Sequence, residues 1–254
     1  MVIFFKWVII VLGIFCQAQA YQNPLRIVAD DRKLLQYPFE GHAKGPSAEI
    51  LQLLLEEAEL EGEIEFMPWS RVYKTALTRP NTLIMTIIRT PARENKFQWI
   101  TKVSDTVYSF TSKIASVYDY ADTLTIAKKR VTAVVRGSSG YNYLIRKGFS
   151  EEENLYLVGS VETAIKLLNN NKIDFVFDTP AVFINYYAQK GLNSDDFVKH
   201  HFIQETRKSG YIALSNNSDI NLLEKLRKSQ KIIEKKAEYK QLIKFRPLIS
   251  ESTR

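Results

Sequence analysis

The order of predicted strands and helices is the feature that most restricts the fold of this chain. Short apolar runs with strand character alternate with segments whose apolar residues recur at helical spacing. In the first series the predicted strands are residues 25–29, 63–67 and 82–88, and the predicted helices are residues 48–60 and 71–77. Strand, helix, strand, helix, strand predicts an α/β unit with a largely parallel sheet.

The same alternation then restarts. The second series has predicted strands at 113–117, 131–135, 155–158 and 173–177, and predicted helices at 141–147, 161–169 and 179–189. A strand at 211–214 and an amphipathic tail at 220–243, as one or two helices, complete the chain. Two α/β units in series predict two lobes with a ligand cleft between them. We expect residues 21–111 and 206–254 in the first lobe, 112–205 in the second, and two strands crossing between the lobes.

Residues 1–20 have the layout of a cleavable secretory signal. Lys6 precedes the apolar run Trp7–Phe15, and small residues precede the expected cut after Ala20. The apolar run is shorter than the roughly 20 residues that a membrane-spanning helix needs, which disfavours an uncleaved anchor. A lipidated Cys16 is disfavoured by the bulky Phe15 before it. The sequence therefore predicts a periplasmic protein.

Composition excludes several functions. Cys16 is the single cysteine, so loss of the signal leaves no disulfide, thiol nucleophile or cysteine metal ligand. The net charge of +7 does not indicate a nucleic-acid partner, because the basic residues near the C-terminus alternate with leucines and isoleucines as on the wet face of an amphipathic helix. The three histidines form no zinc motif, so we expect no metal and no cofactor.

Several segments together resemble the family-three extracellular solute-binding proteins, the periplasmic receptors for polar amino acids and related small molecules. They are Met67–Arg71, Arg89–Glu94, Phe97–Ile100, Gly137–Ser139 and Ile173–Pro180. The resemblance covers nearly all of the mature chain and is strongest to an orphan branch with a Pro-Trp-x-Arg element. It implies a two-lobed periplasmic-binding-protein-like α/β fold.

The resemblance also implies site residues in the first lobe. Arg93 matches the arginine that grips the ligand carboxylate, a task suited to the guanidinium fork. Its alternative is a surface ion pair with Glu94 or Asp105. Thr90 matches the threonine of the same motif, and its alternative is to cap the loop.

One position departs from the family pattern. Ile88 stands where the family often has a serine or threonine, and Arg89 follows it. Arg89 either supplies a second positive charge for a diacid or points to solvent. The departure puts a plain α-amino-acid ligand in doubt.

In the second lobe, Ser138 and Ser139 are predicted at a helix N-terminus, where exposed N–H groups attract anions. The resemblance implies that they contact the same carboxylate, and the alternative is helix capping alone. Asp178 matches the acid that pairs with the ligand ammonium group, and its alternative is an N-cap for the following helix.

Three further residues are predicted at the cleft. Trp69, Tyr37 and Arg71 lie in loops or at helix starts where aromatic and charged side chains often contact a ligand. For the aromatic residues the alternative is core packing.

The predicted function is capture of a small amino-acid-like or carboxylate ligand by hinge closure of a monomer, feeding an ABC-type permease. A ligand-sensing or adaptor protein has the same fold and stays open as an alternative. An enzyme with Ser138 or Ser139, His200, His201 and Asp178 is disfavoured, because no Gly-x-Ser-x-Gly motif is present and the histidines are expected to be exposed.

Overall fold

The structure is a computed structural model that describes residues 24–116 and 122–244. The predicted signal at residues 1–20 lies outside the described residues. The strands are Arg26–Ala29 (β1), Tyr37–Phe39 (β2), His42–Lys44 (β3), Ile64–Phe66 (β4), Thr82–Ile88 (β5), Phe97–Lys113 (β6), Thr132–Val135 (β7), Leu155–Val158 (β8), Phe175–Asp178 (β9) and Val198–Ser215 (β10). The helices are Pro46–Glu57 (α1), Trp69–Thr78 (α2), Thr123–Lys128 (α3), Ser139–Arg146 (α4), Val161–Asn169 (α5), Pro180–Ala188 (α6), Ile220–Ile233 (α7) and Ala237–Lys244 (α8). Short 3-10 helices lie at Pro91–Lys96 and Ser194–Asp196.

Eight strands form one sheet in the order β4-β1-β5-β10-β6-β9-β7-β8, and β2 and β3 form a separate hairpin. The group β4-β1-β5 is parallel and defines the first lobe. The group β9-β7-β8 is also parallel and defines the second lobe. Between the groups, β10 and β6 pair antiparallel with each other and with β5 and β9. The two-lobed fold with two crossing strands, predicted from the sequence, is confirmed.

The crossing strands are the longest elements, with 17 residues in β6 and 18 in β10. Their pairing register shifts between Ile203 and Lys208. At this irregularity the hydroxyl of Thr206 accepts a hydrogen bond from the backbone N–H of Tyr108 at 2.9 Å. The predicted strand 113–117 is wrong as an independent element, because β6 begins at Phe97 and ends at Lys113. The predicted boundaries between the lobes, after residue 111 and after residue 205, stay predictions.

Local sequence explains where several elements begin and end. All seven residues of β5 are buried, as expected of a continuous apolar run at the centre of a covered sheet. Helix α4 begins at Ser139, because the hydroxyl of Ser138 accepts a hydrogen bond from the N–H of Tyr141 at 3.0 Å. The tail forms two helices, α7 and α8. Within 24–116 and 122–244, no helix combines the length and apolar character needed to span a membrane.

Candidate ligand-binding site

A cavity of about 490 Å³ lies where the two lobes face each other. Its lining comes from the last residues of β4, β7 and β9, from the segments that follow β1, β4 and β8, from β2, and from the first turns of α2, α5 and α6. The lining residues are Asp30, Asp31, Arg32, Pro38, Phe66, Met67, Pro68, Trp69, Val135, Gly159, Ser160, Val161, Thr163, Asp178 and Val182. Carboxyl ends of parallel strands form the usual ligand crevice of open α/β sheets, and here both lobes supply theirs to one cleft.

Three charged side chains meet in this cleft. Arg32 donates from Nε to Oδ2 of Asp30 at 2.8 Å, and the two side chains are 15% and 13% exposed. The other oxygen, Oδ1 of Asp30, is buried and has no hydrogen-bond partner among the described residues. Asp178 comes from the opposite lobe and is 5% exposed. The cleft therefore holds one buried guanidinium between carboxylates from both lobes.

Burial changes the protonation behaviour of this cluster. Burial raises the pKa of Asp178, while Arg32 and the backbone N–H of Thr179, which donates to Oδ1 at 2.7 Å, act in the opposite direction. Burial also disfavours the charged form of Arg32, yet the carboxylates of Asp30 and Asp178 hold its pKa above the ordinary value. Arg32 thus stays cationic. For Asp178 the free-energy cost of burying a charge exceeds the gain from its partners, and its pKa is therefore raised.

A second group of contacts joins the lobes beside the cleft. Trp69 donates its indole N–H to the backbone carbonyl of Gly137 at 3.1 Å. Arg93 reaches the same carbonyl from Nη2 at 3.5 Å and donates from Nη1 to the carbonyl of Ile88 at 3.1 Å. Its guanidinium carbon lies 5.3 Å and 5.0 Å from the ring centroids of Trp69 and Tyr73. Arg93 is 3% exposed, so the alternative of a surface ion pair for Arg93 is wrong.

The structure divides the predicted site residues into two places. Asp178 and Trp69 line the main cleft. Thr90 and Ser139 line a separate cavity of about 300 Å³ together with Tyr108, and Ser139 and Tyr108 share a hydrogen bond between their hydroxyls at 2.8 Å. Ser138 is buried and caps α4. Arg93 does not belong to the lining of either cavity.

The remaining predicted residues lie outside the cleft lining. Arg89 donates from Nε to Glu94 at 2.9 Å and lies over the ring of Trp99 at 5.2 Å. Arg89 is therefore a surface residue whose charge is paired with that of Glu94. Arg71 is exposed on α2, and Tyr37 lies in β2 with the ammonium group of Lys33 5.6 Å from its ring centroid.

Asp30 and Arg32 were not predicted as site residues. The signal was present, because both follow the first strand of the first α/β unit, at the carboxyl end where ligands bind. Their sequence context is an ordinary polar loop. Only the arrangement of the lobes brings this loop toward Asp178.

Three residues of the enzyme alternative have hydrogen-bond partners outside that group: Ser138 bonds Tyr141, Ser139 bonds Tyr108, and His200 bonds Thr111. His200 and His201 lie in β10 and are half-buried, so the expectation that they are exposed is wrong. This burial lowers the pKa of each to about 4. Nδ1 of His200 lies 2.8 Å from the hydroxyl of Thr111. Within the part of the chain that the structure describes, no cluster of three or more histidine, cysteine or acidic side chains suits a metal ion.

The chain is similar to solved structures of two-lobed binding proteins. One is the sensor domain of a histidine kinase with similarity to periplasmic binding proteins, at 15% identity and a TM-score of 0.74, covering 87% of this chain and 94% of that one. Another is the arginine-, lysine-, histidine-binding protein ArtJ from Geobacillus stearothermophilus, at 17% identity and a TM-score of 0.71, covering 86% and 93%. A third is the GluR0 ligand-binding core from Nostoc punctiforme in complex with L-glutamate, at 18% identity and a TM-score of 0.68, covering 86% and 97%.

No protein-family model matches the sequence, and a search of curated proteins finds no match. At these identities the structural likeness establishes the fold. This chain has the two-lobed periplasmic-binding-protein fold, with its candidate site in the cleft between the lobes.

Proposed function

We propose that this protein is a solute-binding protein that encloses a small amino-acid-like solute between its lobes and holds the solute through its amino group. The observation that carries the proposal is the pair of carboxylates Asp30 and Asp178, 13% and 5% exposed, which line one cavity from opposite lobes. No chemical step and no cofactor is part of this function.

The electrostatics of the cleft support a cationic group on the solute. A buried carboxylate oxygen without a partner is unfavourable, and Asp30 Oδ1 is such an atom within the described residues. Burial already raises the pKa of Asp178. An ammonium group has three donors and one positive charge, which is enough to bond a carboxylate from each lobe.

The rest of the lining supports a small, partly apolar body. The apolar side chains that line the cavity are Pro38, Phe66, Met67, Pro68, Trp69, Val135, Val161 and Val182. A volume of about 490 Å³ lies within the range of small-molecule sites, roughly 300–1,000 Å³.

Hinge closure is the proposed mechanism of capture. The crossing strands change register between Ile203 and Lys208, which provides a place where the backbone bends. Asp30 and Arg32 belong to one lobe and Asp178 to the other, so a solute that contacts all three binds the closed state better than the open state. Such a difference in affinity is what drives closure.

The proposed location is the periplasm, after removal of residues 1–20, with the protein acting as a monomer. Delivery to an ABC-type permease is the first candidate for its downstream role, because amino-acid-binding proteins such as ArtJ share the fold. Presentation of the solute to a membrane sensor is the second candidate, favoured by the likeness to a histidine kinase sensor domain. Co-purification of the ligand-bound protein with a permease or with a sensor kinase distinguishes the two.

A thermal-shift screen tests the proposal. Protein purified from the full-length sequence is unfolded and refolded to remove bound solute, then heated with standard amino acids, amines, dicarboxylates and short peptides. A solute at 100 times its Kd adds about 2.7 kcal/mol of stability, which is a clear rise in Tm. Stabilisation by amine-bearing solutes supports the proposal, and stabilisation by dicarboxylates alone contradicts it.

A further inference from the structure

Three of the groups that the sequence pairs with a ligand carboxylate already have partners within the chain. These groups are Arg93, Ser138 and Ser139. Resting on the proposed function, we therefore ask which part of an amino-acid-like solute can bind in the cleft when these groups are occupied.

Arg93 is occupied on three sides. Its two terminal nitrogens donate to the carbonyls of Ile88 and Gly137, and Trp69 and Tyr73 lie near the guanidinium. With 3% of its surface exposed and no place in the cleft lining, it offers no open fork to an anion. Its contacts join the lobes instead.

The N-terminus of α4 is occupied by Tyr108. The phenol ring is stacked on Phe177 with centroids 5.2 Å apart, and its hydroxyl bonds Ser139 at 2.8 Å. Gly140 makes this position possible, since a Cβ there would lie 2.8 Å from Cε1 of Tyr108. The hydroxyl of Ser138 accepts from Tyr141. The hydroxyls of Ser138 and Ser139 are therefore both engaged by other residues of the chain.

The charge of the cleft disfavours an anion as well. Asp30, Asp31 and Asp178 line it, and among the described lining residues Arg32 is the only cationic side chain. Arg32 is bonded to Asp30 at 2.8 Å, and Asp31 pairs with Lys33 at 3.0 Å. A carboxylate placed here has to compete with Asp30 for Arg32 while lying beside the carboxylate of Asp178, and like charges at short range repel strongly in a buried site.

We propose that the ligand of this cleft is a small amine or guanidine with an apolar body and no carboxylate. Asp178 and Asp30 bind the cationic group, and the apolar wall around Trp69 holds the body. In place of a ligand carboxylate, Arg93 bonds the backbone carbonyls of Ile88 and Gly137, and Ser139 bonds Tyr108.

Pairs of compounds that differ by one carboxylate test this directly. Refolded protein is titrated calorimetrically with agmatine and arginine, cadaverine and lysine, histamine and histidine, and tyramine and tyrosine. We expect at least one amine to bind about 10-fold or more tightly than its amino acid, the factor that corresponds to one charge-dependent interaction. An amino acid that binds as tightly as its amine overturns the inference and leaves the proposed function standing. Absence of binding by every compound overturns both.

Variants connect the preference to named residues. Asp178→Asn should abolish binding of the preferred amine, whereas Asp196→Asn, an exposed carboxylate of the same lobe, should leave binding unchanged. Amine binding retained in Asp178→Asn contradicts the assignment.

Discussion

Trp69 and Gly137 connect the two lobes through a single hydrogen bond, in which the indole N–H donates to the backbone carbonyl at 3.1 Å. Gly137 has φ of 67°, a left-handed conformation that glycine adopts without steric penalty. Because Arg93 donates to the same carbonyl, one peptide group of the second lobe receives both contacts from the first. Interlobe contacts of this kind contribute to closure independently of the solute.

Trp69→Phe should shift the protein toward the open state. The substitution keeps an aromatic ring and removes one hydrogen bond, whose net contribution is about 0.5–1.5 kcal/mol. Small-angle scattering should show a larger radius of gyration, and the affinity for an amine should fall by about 2- to 13-fold.

Trp99→Phe is the matched control, because its indole donates to the carbonyl of Glu94 within the first lobe. Equal effects of the two substitutions would show that the Trp69–Gly137 bond does not hold the lobes together.

Asp178→Asn should raise the stability of the solute-free protein at neutral pH. Burial raises the pKa of Asp178 in the folded state, so the folded protein binds more protons than the unfolded chain between the two pKa values. The contribution of this group to the free energy of unfolding therefore falls as pH rises through that window. Urea unfolding at pH 7 and at pH 4 should show the gain from the substitution shrinking at the lower pH.

A gain that is constant with pH, or a loss of stability at pH 7, would contradict the desolvation of Asp178. Asp196→Asn controls for the removal of one negative charge from the second lobe, since Asp196 is exposed.

Arg93→Met should lower the stability of the folded protein by about 1.5–3 kcal/mol, the scale of hydrogen bonds made by a charged group. Methionine fills much of the volume but leaves the carbonyls of Ile88 and Gly137 without these donors. The affinities for an amine and for its amino acid should weaken by the same factor. A selective loss of amino-acid binding would return Arg93 to the carboxylate-gripping role that the sequence resemblance implies.

Arg71→Met provides the comparison for this change. Arg71 is exposed on α2, and surface substitutions of this kind usually alter stability by less than about 0.5 kcal/mol. Denaturant midpoints of the two variants, measured side by side, separate the buried role from a general loss of charge.

Gly140→Ala should destabilise the second lobe by about 1–3 kcal/mol, the scale of overpacking in a filled core. The added methyl group would lie 2.8 Å from Tyr108 and 3.3 Å from Phe177, two stacked rings that have little room to move. Gly159→Ala is the control, since no atom lies within 4 Å of a Cβ at that position and its backbone is not left-handed. Similar Tm values for the two variants would show that Tyr108 is not packed against α4 in solution.

Local pattern was sufficient for most of the fold. The predicted bounds of β5, β8 and α5 coincide with the structure, because each is a compact run with one periodicity and clear terminal signals. The crossing strands were underestimated. The predicted strands at 113–117 and 211–214 touch or belong to β6 and β10, whose polar residues are held in extended conformation by pairing with each other rather than by their own propensity.

The site shows the same division between local and long-range information. The sequence alone predicted that a strand ends close to Asp178 and that a helix begins close to Ser138 and Ser139, since strand burial and helix capping depend on neighbouring residues. It did not determine which arginine serves which purpose. Arg89, Arg93 and Arg32 all follow strands, yet one binds Glu94 at the surface, one joins the lobes through Gly137, and one is buried beside Asp30 in the cleft. Those assignments depend on the distance between chain segments far apart in sequence, and desolvation and pairing of a charge are set by that tertiary arrangement.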